Sequence, residues 1–162
     1  MKTEKAILAA GCFWGVEELL RSYKGVINTE VGYCGGEEGE ATYQFVKTGT
    51  TEHAEAIQVE FDPEKLSYRE LIEAFFKLHD PTTKNQQGND IGRQYRSAIF
   101  YFSEGQKETA NKVKSEVEAS GKWKMPLATE ITPAKTFFNA EDYHQDYLQK
   151  NPNGYTCHYW RR

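Results

Sequence analysis

Two hydrophobic periods alternate along the first hundred residues, and their order leaves few folds open to the chain. "KAILAA", Lys5–Ala10, is mostly apolar and reads as a strand. Val16, Leu19, Leu20 and Tyr23 then recur at helical spacing up to a stop at Gly25. Val26–Tyr33 is a second strand. "AEAIQVEF", Ala54–Phe61, alternates cleanly as a third and ends at Asp62-Pro63. "SYRELIEAFFKLH" opens on a capping box, Ser67 with Glu70, and runs as an amphipathic helix until Asp80-Pro81 halts it. "SAIFYF" supplies a fourth strand. Strand–helix–strand–strand–helix–strand is the split βαβ order, which predicts an α+β two-layer sandwich of ferredoxin-like type.

The rest of the chain adds to that frame. Ser103 and Gln106 repeat the capping box before a helix with Ala110, Val113 and Val117 inward. A strand near Ala128–Thr132, an extended piece around Phe137, a helix near Glu141–Lys150 and an irregular tail follow. The expected architecture is a mixed sheet with long irregular loops. The 162 residues contain no repeat or low-complexity linker, so residues 1–162 read as one catalytic domain with a tail at 151–162.

Totals exclude several classes of function. A net charge of −4 with no basic stripe argues against nucleic acid. The N-terminal apolar run is too short for a signal peptide or a membrane span, so the expected compartment is the cytoplasm. Three cysteines, Cys12, Cys34 and Cys157, are too few and too scattered for a disulfide framework, and no CxxC or Cys/His cluster suggests structural zinc. Their interest is as chemistry.

"GCFWG" places Cys12 where the first strand stops and the first helix starts. Unpaired N–H groups and the positive helix end there favour an anion, which predicts a lowered thiol pKa. The bland alternative is a strand-end cysteine tucked beneath the helix. Phe13 and Trp14 cannot both face the core, because successive helical residues point about 100° apart. At least one should line a surface and wall a small apolar pocket beside the sulfur.

In the third strand, Glu55 shares parity with Ile57, Val59 and Phe61. A carboxyl on that face is desolvated, its pKa raised, and it is suited to donate a proton near neutrality. If the strand begins later, Glu55 is instead solvated. Hydrogen-bonding rings lie in the loops at Tyr43 and Tyr95, and Cys157 sits in a tail free to approach another thiol. A thiolate, an apolar pocket and a protonated acid suit attack on an electrophilic centre whose oxygen must leave. A peroxide-reducing thiol protein, a cysteine hydrolase with a histidine base, and a binding module with an inert Cys12 remain open on these residues alone.

"GCFWG" with "GYCGG", "TEHAEAIQVEFDP", "QGNDIGRQYRSAIF" and "AEDYHQDYLQKNPNGY" closely resembles the A class of peptide methionine sulfoxide reductases, in order and over nearly the whole chain. The resemblance implies that Cys12 attacks the sulfoxide sulfur and that Glu55 protonates its oxygen with help from Tyr43 and Tyr95. It also implies that Phe13 and Trp14 hold the substrate methyl and that Asp90 orders the site. The implied substrate is methionine S-sulfoxide, free or in peptides and proteins, with no bound cofactor. Cys157 would resolve the sulfenic acid on Cys12, giving a disulfide that thioredoxin reduces. A monomer is expected. Cys34 reads as a small packed residue, and His144 with Tyr147, one helical turn apart, as braces for the site.

Overall fold

The computed structural model describes residues 2–161. Strand β1 (Glu4–Ala10) leads into helix α1 (Phe13–Arg21), and β2 (Val26–Cys34) returns from it. A long loop holding the short helix α2 (Tyr43–Val46) precedes β3 (Ala54–Phe61), and α3 (Tyr68–Leu78) follows. Next come a two-residue ladder, β4 (Gln86–Gln87) with β5 (Asp90–Ile91), then β6 (Ser97–Tyr101) and α4 (Glu104–Ala119). Two short strands, β7 (Glu130–Pro133) and β8 (Phe137–Asn139), and the short helix α5 (Tyr147–Lys150) complete the chain.

The main sheet has the order β7-β6-β1-β3-β2-β8, and only the β6–β7 pairing in it is parallel. Its four central strands are the split βαβ expected from the sequence. β3 lies between β1 and β2 and runs against both, as a helical crossover from β1 to β2 requires. The pieces expected near Ala128–Thr132 and around Phe137 become the edge strands β7 and β8, and the parallel pairing of β7 makes the sheet mixed.

Strand parity decides the layers. Leu8, Val31, Tyr33, Ile57, Val59 and Ile99 face the helices and pack with Phe13, Val16 and Leu20 of α1 and Leu71, Ile72 and Phe75 of α3. The opposite face sets small groups, Ala9, Ala54, Ala56, Ala98 and Cys34, beside the larger Ile7 and Phe100, partly covered by Ala134 and Phe137.

The capping box at Ser67 is complete, with both reciprocal bonds to Glu70. At Ser103 only half of it forms. The hydroxyl accepts from the Gln106 N–H, but the Gln106 amide instead bonds the Phe102 N–H and the Lys5 carbonyl, tying α4 to the strands. The helix expected over Glu141–Lys150 is broken. A 3-10 turn covers Asp142–His144, and Asp146 takes a left-handed backbone (φ 55°) before α5. Gln145 explains the break, since its amide bonds both the N–H and the carbonyl of Val31 on β2.

Candidate active site

Gly11 turns the chain at the end of β1 with φ 96°, and Cys12 becomes the residue capping α1. Helix packing then sends the two aromatics apart. Phe13 is fully buried against Tyr33, while Trp14 is only partly covered. Glu55 lies within β3, paired across from Tyr33 and 2 % exposed, so the strand has already entered the sheet at this position. Its Oε1 accepts the backbone N–H of Phe13 at 3.3 Å, which joins the acid to the first turn of the helix that Cys12 caps.

Three loop segments and the tail close over this pair. Tyr43 comes from α2, Asp90 from the short ladder, Tyr95 from a 3-10 turn, and Tyr155 from the tail. With Cys12, Phe13, Trp14 and Glu55 they line a pocket of about 220 Å³. Of the residues that the resemblance assigns to reaction or substrate, all but Cys157 therefore meet at one cavity, and Tyr155 joins them unforeseen.

The electrostatics correct one expectation. The Cys12 thiol, 7 % exposed, is held well above the ordinary thiol range, chiefly by burial and then by the Glu55 charge. The Trp14 backbone N–H pulls the other way, but the helix end does not win. Burial likewise pushes Glu55 up to about 8, with the Phe13 N–H opposing and the Asp90 and Glu141 charges adding to the rise. Tyr43 and Tyr95 are raised by burial and by Glu55, so both phenols keep their protons as donors. At neutral pH Cys12, Glu55, Tyr43 and Tyr95 therefore face the cavity as neutral acids, alongside the Asp90 carboxyl.

Support comes from the segment after β8. The Trp14 indole donates to His144 Nδ1 at 3.0 Å, which places the His144 proton on Nε2, and Tyr147 stacks on Trp14 with ring centres 3.8 Å apart. His144 and Tyr147 brace the site as expected, though from a turn and a separate short helix rather than from one helical face. Glu141 accepts the Tyr33 hydroxyl at 2.8 Å and the Tyr43 N–H at 2.9 Å, and so seats α2. Nothing local in the sequence marks Glu141. Its partners lie about a hundred residues away.

The tail is docked rather than loose. His158 is buried, with Nε2 2.6 Å from the carbonyl of Ala10, two residues before Cys12. Tyr155 donates to Asp90 Oδ2 at 3.1 Å, and the Cys157 sulfur lies 3.9 Å from the same oxygen. Gly15 makes the docking possible, because a methyl there would collide with the Thr156 hydroxyl and the His158 ring. Gly15→Ala is expected to lift residues 155–158 and expose them to limited proteolysis. Cleavage rates equal to the parent's would show that the helix, not the tail, gives way. Cys34 lies on the other face of the sheet, fully buried, its sulfur 3.6 Å from the Lys135 carbonyl. All three cysteines are free.

Among the described residues no group of acids, cysteines and histidines is gathered as a metal site, and no helix is long and apolar enough to cross a membrane.

Known proteins place this geometry. The family model for peptide methionine sulfoxide reductase matches residues 4–162. Peptide methionine sulfoxide reductase MsrA 1 of Mesorhizobium japonicum is 56% identical over 98% of this chain and 90% of its own. The MsrA of Mycobacterium tuberculosis is 56% identical over 98% of this chain and 85% of its own. Among solved structures, reduced Mxr1 from Saccharomyces cerevisiae superposes with a TM-score of 0.94 at 43% identity, covering 99% of this chain and 93% of that one. Mxr1 in complex with Trx2 matches with a TM-score of 0.68 at 30% identity, over 99% and 91% of the two chains. By agreement along nearly all of its length, the chain belongs to the peptide methionine sulfoxide reductase family, thiol-dependent oxidoreductases that return methionine sulfoxide to methionine.

Proposed function

We propose that Cys12 and Glu55 carry out the sulfoxide reduction together. The observation behind this reading is their shared cavity, where an aromatic pair and two phenols surround a buried thiol and a buried acid. Glu55 gives its proton to the sulfoxide oxygen while the Cys12 sulfur bonds to the sulfoxide sulfur. The thiol proton takes its place on the carboxylate. The hydroxyl then passes from the substrate sulfur to the Cys12 sulfur as the bond between the two sulfurs breaks, which leaves Cys12 a sulfenic acid and releases methionine, so one sulfur gains the two electrons the other loses. No free thiolate is needed in the resting enzyme, which accords with the raised pKa of Cys12. Tyr43 and Tyr95 hydrogen-bond the oxygen, Phe13 and Trp14 hold the methyl group, and Asp90 fixes the tail through Tyr155.

In this reading Cys157 then attacks the Cys12 sulfenic acid. A sulfur–sulfur bond forms, the sulfur–oxygen bond breaks and water leaves. Thioredoxin reduces the disulfide, a role supported by the yeast relative's complex with Trx2. No bound cofactor takes part. The substrate is the S epimer, free or within proteins, and the enzyme works as a monomeric single domain in the cytoplasm.

An epimer-resolved assay with dithiothreitol tests the reaction. Methionine is expected from the S epimer only, and equal turnover of the R epimer would refute the assignment. Cys157→Ser tests the tail. With thioredoxin as reductant it should release about one methionine per enzyme and then stall, because the sulfenic acid has no protein thiol to resolve it. Sustained thioredoxin-linked cycling would remove Cys157 from the scheme.

A further inference from the structure

Glu17 is a carboxyl, 1 % exposed, that no step above uses. It sits in "GVEELL" one turn after Trp14, on the same side of α1. Its Oε1 accepts the backbone N–H of Asp146 at 2.9 Å, and its Oε2 accepts the Thr29 hydroxyl at 2.9 Å. Arg21 reaches Glu17 at 3.3 Å and Asp146 at 2.9 Å, closing the arrangement from the solvent side.

Asp146 is the left-handed residue between His144 and Tyr147. Such a backbone is uncommon for a residue with a side chain and has to be held by its surroundings. Three side chains hold it here, Arg21 through the Asp146 carboxylate and two others through the backbone and the neighbouring residue. Gln145 binds β2 at Val31, and Glu17 accepts the N–H of Asp146. What the segment carries is the support of Trp14: the imidazole that accepts the indole proton and the ring stacked upon it.

We propose that Glu17 is a positioning residue for sulfoxide reduction: by holding the Asp146 N–H it fixes His144 and Tyr147 against Trp14, and so sets the wall that receives the substrate's methyl group. The proposal rests on the reading of Trp14 given under the proposed function. Its currency is hydrogen-bond geometry, not charge. Burial pushes the Glu17 carboxyl up, and the Thr29 hydroxyl and Arg21 pull it back. A glutamine could serve in the same place, with its oxygen toward the Asp146 N–H and its NH₂ toward the Thr29 oxygen.

Steady-state kinetics with methionine S-sulfoxide and dithiothreitol test this in Glu17→Ala, Glu17→Gln, Trp14→Ala and the Glu17→Ala/Trp14→Ala double variant. Glu17→Ala is expected to raise KM about 10-fold with kcat within about 3-fold, because the methyl wall is displaced while the reacting groups stay. Glu17→Gln is expected to recover most of that loss. With Trp14 already removed, the Glu17→Ala step should change kcat/KM by less than about 2-fold, since both act through one wall. The indole N–H resonance that vanishes in Trp14→Phe should shift in Glu17→Ala and return toward its parent position in Glu17→Gln.

Parental kcat/KM in Glu17→Ala, equal losses in the Ala and Gln variants, or full multiplication of the two losses would overturn the proposal while leaving Trp14 its role. Unchanged kcat/KM in Trp14→Ala would overturn the methyl wall itself, and this proposal with it. Should Glu17→Ala fail to fold, Arg21→Met loosens the same segment from the solvent side. It is expected to raise KM about 3-fold, and a parental KM there would count against the proposal.

Discussion

Cys12→Ser is expected to lose turnover of methionine S-sulfoxide by at least about 10⁴-fold, with dithiothreitol or thioredoxin as reductant. A serine oxygen fails twice in this chemistry. It cannot make the bond to the sulfoxide sulfur with a thiol's nucleophilicity, and it cannot take up the two-electron oxidation that leaves Cys12 as a sulfenic acid. The substitution replaces a small, nearly buried group by one of similar shape, so the fold should survive and circular dichroism should be unchanged. Methionine formation, followed after chromatographic separation of the epimers, checks the outcome. Retention of more than about one hundredth of the parental rate would move the nucleophile to Cys157 or Cys34.

Glu55→Gln comes second in size, with an expected fall in kcat of about 10²–10⁴-fold, the range for removing a positioned proton donor. The glutamine amide can still accept the Phe13 N–H but has no proton to give to the oxygen. The parent should also carry a distinctive pH profile. With the carboxyl pushed up to about 8, its protonated form prevails at neutrality, and kcat/KM should decline tenfold per unit of pH beyond that value. That limb should be absent from Glu55→Gln. Stability follows the same group. Between the ordinary carboxyl range and about pH 8 the native acid keeps a proton that the unfolded chain has released, so stability falls as pH rises through that window. A parental rate that stayed level to pH 9.5, or a Gln variant with an unaltered profile, would take the donor role from Glu55.

Hydrophobic period and parity made the frame legible. The alternation of "AEAIQVEF" locates β3 to the residue and puts Glu55 on the side of Ile57, Val59 and Phe61, which the fold turns toward the helices. Position at a helix end, by contrast, misleads about Cys12. A helix end is a local feature that sequence displays, whereas burial and the nearby Glu55 and Asp90 charges come from tertiary structure and outweigh it. The helix expected over Glu141–Lys150 has the right spacing. It breaks because Gln145 and the Asp146 N–H find partners on β2 and α1 more than a hundred residues away. Glu17 is hidden for a similar reason: on a helix surface a glutamate is ordinarily solvated, and only the folded chain buries this one against Thr29, Arg21 and the Asp146 backbone.

The docked C-terminal strap also bears on how the protein is handled. Arg161 bonds the carbonyl of Lys77, and Tyr155 is itself part of the pocket wall, so a pull on an affinity tag or surface linkage joined through the strap would strain a segment that helps form the cavity. Glu4 begins β1 at the end of the strand remote from Cys12, about 20 Å away at the rise of an extended chain. Immobilisation through the N-terminal side leaves the cavity and its strap clear, and an enzyme bead or electrode should be built from that end.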